Sequence, residues 1–219
     1  MNILLLKELP SKVMVGGLEV SIDTSFKTSI NFENSIKEYD LEIEEQLIEF
    51  RLNALKLYYP ILNADFDSLS DGDKMLFNHI IDNRNDAIEQ LMWFHKCGKE
   101  DFVEEGVETK LKEHILDYDY DSKKIVSAIL SQYRIDLTET DVHWWKFKYM
   151  IEGLEEKHPI SKIMSIRATD ITTMPKEMRE QYRKLKKLCK IPLPLEEVEE
   201  DNEIADILLS GGEIPNQKA

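Results

Sequence analysis

Cysteine, glycine and proline are scarce in this chain, and each scarcity removes a class of protein. Only Cys97 and Cys189 occur in 219 residues, in no Cys-x-x-Cys pattern. A small secreted scaffold would carry more, so both thiols read as free and the compartment as reducing. Glycine and proline are absent between Leu18 and Tyr59, between Asp73 and Cys97, and between Val107 and Glu152. Gaps of that length favour helices over a many-turned β fold. Long apolar runs are missing too. The longest stretch without a charge is nine residues, Ile125 to Tyr133, about half of what a membrane span needs. Met1 to Pro10 offers only Ile3-Leu4-Leu5-Leu6 before Lys7, without the basic start and apolar length of a signal peptide. Positive charge is outnumbered: 28 Lys and Arg face 43 Asp and Glu, a net charge of −15. That balance opposes binding to nucleic acid and to anionic lipid; it suits dispersion in water and a basic or helical protein partner.

Enough apolar residues remain, 42% of the chain, to build a core. The expected fold is mainly α: one helical domain over 1–190, a short N-terminal β-hairpin at about 12–22, and a flexible acidic C-terminal tail over 191–219. Lys12 to Val15 and Leu18 to Ile22 flank Gly16-Gly17, a pair suited to the two positive φ angles of a type I′ turn, with Leu18, Val20 and Ile22 on one face. A helical pattern starts at Thr24, runs through Phe26, Ile30, Phe32, Leu41, Leu47, Ile48, Leu52, Leu55 and Tyr59, and stops at Pro60. Ser70-Asp71-Gly72-Asp73 supplies capping chemistry for one helix of about 24 residues ending near Gly98. Residues 98–113 form the least patterned interior stretch and are expected to be a mobile loop. Further helices are expected near 121–134, 140–154, 159–168 and 175–190, with Thr138 and Asp141 resembling a capping box and Pro159 and Pro175 in first turns. The last of these carries a narrow stripe of Met178, Tyr182, Leu185 and Cys189 amid seven bases. Residues 196–206 then hold seven acids and no base, a run expected to be disordered or loosely docked.

Motifs with catalytic mechanics are missing. No GxSxG, P-loop or GxGxxG occurs, and His79, His95, His114, His143 and His158 show no HExxH spacing. Asp117, Asp119 and Asp121 place oxygens at positions 1, 3 and 5 of a calcium loop, but Ser122 stands where the turn needs glycine and Ala128 where a bidentate glutamate belongs. No metal or cofactor is implied, and the chain reads as a non-enzyme.

The least ordinary stretch is Val142-His143-Trp144-Trp145-Lys146-Phe147-Lys148-Tyr149-Met150-Ile151. On a helix, His143, Phe147, Met150 and Ile151 share one face with Trp144 at its edge, while Val142, Trp145 and Tyr149 define a second. A helix apolar on two sides must be covered twice. Either both faces meet other helices of the domain, as in a central helix, or Trp145 and Tyr149 belong to a surface for a partner, where aromatic residues anchor interfaces.

Tyr118-Asp119-Tyr120-Asp121, the run Ile125 to Tyr133, Ile135-Asp136-Leu137, His143-Trp144-Trp145-Lys146-Phe147, and Ile163-Met164 to Arg167 together resemble the tail assembly chaperones of long-tailed, siphovirus-type bacteriophages of Gram-positive hosts. The opening Leu9-Pro10, Gly16-Gly17 and Ile22-Asp23-Thr24-Ser25-Phe26 is similar as well. The resemblance spans about 9–191. One departure is Arg134, where the family pattern has glycine; a left-handed helix cap is therefore not expected there.

The resemblance implies a morphogenesis factor of the host cytoplasm, absent from the finished virion. Such a factor binds the helical tape measure protein and keeps it soluble until the tail tube polymerises. The major tail tube protein and a second copy of the chain are further possible partners. On this reading Val142, Trp145 and Tyr149, with His143, Trp144 and Phe147, are the candidate partner-binding residues. The alternatives are a metal-dependent hydrolase or nuclease using the 117–121 cluster, and an acidic DNA mimic that inhibits a DNA-binding protein.

Overall fold

A computed structural model describes residues 8–99, 115–172 and 174–191. It holds a two-stranded antiparallel hairpin and, among the described residues, eight α-helices. Most of the loop expected at 98–113 and the acidic run beyond 191 lie outside the described residues.

The hairpin joins β1 (Lys12–Val15) to β2 (Leu18–Ser21), with Val15 opposite Leu18 and Val13 opposite Val20. Gly16 and Gly17 sit at φ +53° and +79°, the pair of left-handed residues that the turn demands. Gly16 is fixed for a second reason: a Cβ there would lie 2.5 Å from the side chain of Asn83. Val13, Val15, Val20 and Ile22 face the core. Leu18 does not. It directly follows the turn, at the hairpin tip, and is exposed. The hairpin is pinned to the helices by the Gly16 amide donating to Asp86 Oδ2 at 2.5 Å and by His79 Nε2 at 2.8 Å from the Val15 carbonyl.

α1 (Phe26–Ser35) starts at Ser25, whose hydroxyl accepts from the Lys27 amide at 3.1 Å. It buries Phe26, Ser29, Phe32 and Ser35, one residue per turn. The helical pattern then breaks, contrary to the continuous run expected, and resumes as α2 (Glu44–Tyr58). Side chains hold the break: Asp40 Oδ1 accepts from the Glu42 amide at 3.1 Å, and the Asp40 amide donates to Gln46 Oε1 at 2.7 Å. Such local bonds offer the backbone an alternative to helix. Tyr59 leaves the helical conformation and Pro60 opens a short 3-10 turn.

The single helix expected after Ser70 is two. α3 (Asp71–Asp82) begins on Ser70, whose hydroxyl accepts from the Asp73 amide at 3.2 Å, and α4 (Arg84–His95) follows after Asn83 alone. The Asn83 backbone leaves the helical region at φ −108° and ψ 30°, and its side-chain amide donates at 2.8 Å to the His79 carbonyl, which also accepts the Asn83 backbone amide at 3.1 Å. α4 ends through Cys97 and Gly98, both at positive φ, with the Gly98 amide reaching back to the Trp93 carbonyl at 2.9 Å.

α5 (Ser122–Tyr133) closes on Arg134 at φ +59°, its amide bonded to the Leu130 carbonyl. The left-handed cap is therefore present with arginine in place of glycine. α6 (Trp144–Glu152) starts four residues later than expected. The Thr138–Asp141 box does not form: Asp136 Oδ1 instead accepts from the Thr138 amide and hydroxyl, and Asp141 Oδ1 accepts from Ser25 at 2.7 Å. α7 (Pro159–Ala168) has its proline in the first turn, and α8 (Lys176–Leu188) is preceded by Pro175 as cap.

One apolar cluster joins both halves of the chain, from Val13 through Tyr58, Phe94 and Trp144 to Ile160. A two-bond clasp ties them at the backbone: the Trp144 amide donates to the Thr24 carbonyl at 2.7 Å and the Phe26 amide to the Val142 carbonyl at 2.9 Å. α1 and α6 thus start from one joint. Among the described α-helices, α8 alone buries no residue.

Candidate partner-binding site

The residues proposed for a partner surface start at His143, the N-cap of α6. Its Nδ1 accepts from the Trp145 amide at 3.1 Å, and its Nε2 lies 2.9 Å from the Pro10 carbonyl. An acceptor on one nitrogen and a donor on the other require the neutral ring. Burial favours the same form and pushes the His143 pKa below its ordinary value, against the raising effect of the Pro10 carbonyl.

Trp144 and Trp145 are fully buried. Trp144 Nε1 donates to the His95 carbonyl and Trp145 Nε1 to the Phe94 carbonyl, each at 2.7 Å. Both carbonyls belong to the last turn of α4, where helix acceptors lack intrahelical donors. The two indoles therefore cap α4 while filling the core. Trp145 also packs on Trp93 and Phe94, with ring centroids 5.5 and 5.9 Å away. Trp144 stacks on His95 at 5.2 Å. Phe147 meets Phe26 at 5.0 Å and Tyr118 at 5.9 Å.

The candidate surface is thereby corrected. Val142, Trp144, Trp145 and Phe147 are buried and His143 is half-buried beneath Pro10; of the six, Tyr149 alone reaches solvent substantially, at 36% exposure. Both apolar faces of α6 are covered by this chain's own elements: the start of α1 on one side and the end of α4 on the other. It is a central helix, and five of the six residues cannot meet a partner without opening the core.

A chain of polar contacts backs this packing. Glu33 Oε1 lies 3.1 Å from His95 Nε2, His95 Nδ1 lies 2.9 Å from the Tyr58 hydroxyl, and Tyr58 is 2.9 Å from Ser29 Oγ. The His95 hydrogen bond lowers the Glu33 pKa against the opposing effect of burial. Burial raises that of Tyr58, the Ser29 contact opposing it. Tyr58 and Ser29 are fully enclosed, so the contacts cross-link α1, α2 and α4 and leave no hydroxyl open to a substrate. Burial likewise pushes the Cys97 thiol up to about 11, the reverse of what a nucleophile needs.

The acidic cluster is spent internally as well. Asp121 is buried and receives Arg167 on both oxygens, at 2.5 and 3.2 Å. The same guanidinium donates to the carbonyls of Ile115 and Cys189, so one buried ion pair fastens α7, the end of α8 and the start of α5. The spacing of 46 residues gave no sequence signal for it. Asp117 pairs with Lys37 at 2.6 Å and accepts from the amides of Asp119 and Tyr120 at 2.9 Å. Burial raises the Asp117 pKa, but these donors outweigh it and hold the carboxyl below its ordinary value. Asp119 accepts from Asn34 at 3.0 Å. Among the described residues no group of three or more His, Cys, Asp and Glu could hold a metal ion.

The apolar side chains left outward lie elsewhere. On α2, Ile48 is 60% and Leu52 44% exposed, one turn apart, with Leu41 and Ile43 exposed just before the helix. Glu44, Glu45 and Glu49 flank them, exposed on the same side. Further along α2, Ala54, Leu55 and Tyr58 are buried in the core, Leu55 one turn beyond Leu52 on the same stripe, so the outward pair stands on an anchored helix. The sequence pattern includes Ile48 and Leu52 in an inward stripe; that stripe is buried at Leu55, toward the C-terminal end of α2, and left exposed at Ile48 and Leu52. No described helix is long and apolar enough to cross a membrane.

The family model for Bacteriophage Gp15 protein matches residues 5–191. The chain belongs to that family of bacteriophage proteins. No curated protein and no solved structure matches it.

Proposed function

We propose that this phage protein is a tail assembly chaperone that binds the helical tape measure protein in the host cytoplasm and keeps it soluble until the tail tube forms around it, without catalysing a reaction. The observation that carries the reading is the outward face of α2. Ile48 and Leu52 sit at i and i+4 on a helix anchored in the core, which leaves two apolar side chains open to the apolar face of an amphipathic helix. The position at 145, favoured from the sequence, gives way to this face because Trp145 is enclosed.

Affinity through two apolar side chains is small, about 1.5–3 kcal/mol each at full burial. A long helical client binding many copies gains strength by multivalency while each copy stays easy to displace. A net charge of −15 keeps such a coated client dispersed. Co-expression with a tape measure fragment tests the reading. The wild-type chain should raise the fragment's soluble yield, and Ile48→Ser with Leu52→Ser should remove the gain while the chaperone itself stays folded. Undiminished rescue by that double variant would discard the α2 face.

A further inference from the structure

We propose that residues 196–209 of this chain dock on the outward side of α8, folding back along it from its C-terminal end. α8 has two sides. Arg179, Tyr182, Lys186 and Cys189, spaced three, four and three, are half-buried toward α7. Arg179 donates to the carbonyls of Thr172 and Met174 at 3.0 and 2.8 Å, and Arg167 holds the Cys189 carbonyl. Along the edge of that face Met178, Leu185 and Leu188 stand in water, Leu188 at 81% exposure, and further round the helix lie the exposed bases Lys176, Arg183, Lys184 and Lys187 with the exposed acids Glu177 and Glu180. Apolar side chains left open at the edge of a helix's seated face are half of an interface.

Charge and chain continuity name the other half. The segment 196–206 has seven acids and no base, and Ile204, Ile207 and Leu208 follow at the spacing of one helical face. This acidic run begins five residues after Ile191, a reach of about 17 Å at full extension. α8 is about 20 Å long, a length that residues 196–209 can match. The buried Arg167–Asp121 pair fixes the point from which the segment departs. Tethering so close gives an effective concentration in the mM range. An external acidic partner, protein or nucleic acid, would lack that advantage and would meet the repulsion of a chain with net charge −15. The docked segment covers the apolar edge of α8 and offsets its positive charge. It does not touch the α2 face, so the two proposals stand or fall separately.

Zero-length carbodiimide cross-linking of the full-length chain, read by peptide mass spectrometry, tests this. Mixing isotope-labelled and unlabelled chains separates links within a chain from links between chains. The expected result is intrachain linkage in register: Lys187 to residues 196–199, and Lys176, at the far end of α8, to residues 203–206. One molar salt, with a Debye length of about 3 Å, should suppress the links. Met178→Ser with Leu185→Ser and Leu188→Ser, which keeps every charge, should weaken the Lys176 link about tenfold or more. Links confined to Lys187 and the first acids would show a tether without docking, and links only between chains would show another occupant. Either result overturns the proposal.

Discussion

At the scale of single residues, Trp145 decides how α6 is understood. Its ring fills the core between Trp93 and Phe94, and its Nε1 caps a helix-terminal carbonyl. Trp145→Ala should therefore lower stability by about 3–5 kcal/mol, as large aromatic truncations in cores do, measured by denaturant unfolding. A surface aromatic would cost only a few tenths. His143 makes a second residue-scale prediction. Its pKa is depressed in the folded state from an ordinary 6.5, so the unfolded chain takes up the proton first. The stability it contributes is complete above pH 6.5 and is lost as pH falls through the folded value. Glu33 and Asp117, held below ordinary values of 4.5 and 3.8, add a further loss only below those values. His143→Asn keeps a capping side chain without a titrating ring. It should flatten the melting temperature just below pH 6.5 and leave the fall at lower pH intact.

At the scale of elements, the caps mark where the chain turns. Arg134 occupies a left-handed cap at φ +59°, a conformation that costs a side-chain-bearing residue about 1–2 kcal/mol. Arg134→Gly should recover about 1 kcal/mol less the entropy glycine loses on folding; a decrease in melting temperature would show that the arginine side chain contributes more than the strain costs. Much of this layer was legible in the sequence because its signals are local. Gly16-Gly17 marked the hairpin, Ser70 the start of α3, Gly98 the end of α4, and Pro60 and Pro159 a stop and a start. The breaks were not legible. Asn83 divides α3 from α4 by leaving the helical region, at φ −108° and ψ 30°, in a stretch whose apolar periodicity continues across the gap. His143 starts α6 with an imidazole that periodicity gives no reason to choose over Thr138.

At the scale of the whole molecule, the sequence showed that α6 is apolar on two sides but could not show what covers each. The groups that do so, Pro10, Phe26 and Phe94, are brought to α6 by the fold from 51 to 133 residues away along the chain. An interface between helices of one chain and an interface with another chain carry the same residue types. Only burial separates them. It moves the candidate contact surface from Trp145 to Ile48 and Leu52 on α2, exposed amid acids. Since those two side chains contribute little to the core, replacing them should change unfolding free energy by no more than about 0.5 kcal/mol.

The central claim, that this protein holds a helical polypeptide on the outward face of α2, is tested most directly by titrating the purified chain into a fluorescently labelled tape measure fragment. Saturable binding by the wild type, and loss of at least about tenfold in affinity in the Ile48→Ser, Leu52→Ser variant with an unchanged melting temperature, is the predicted result. Binding of equal strength by both chains, or none by either, would contradict it.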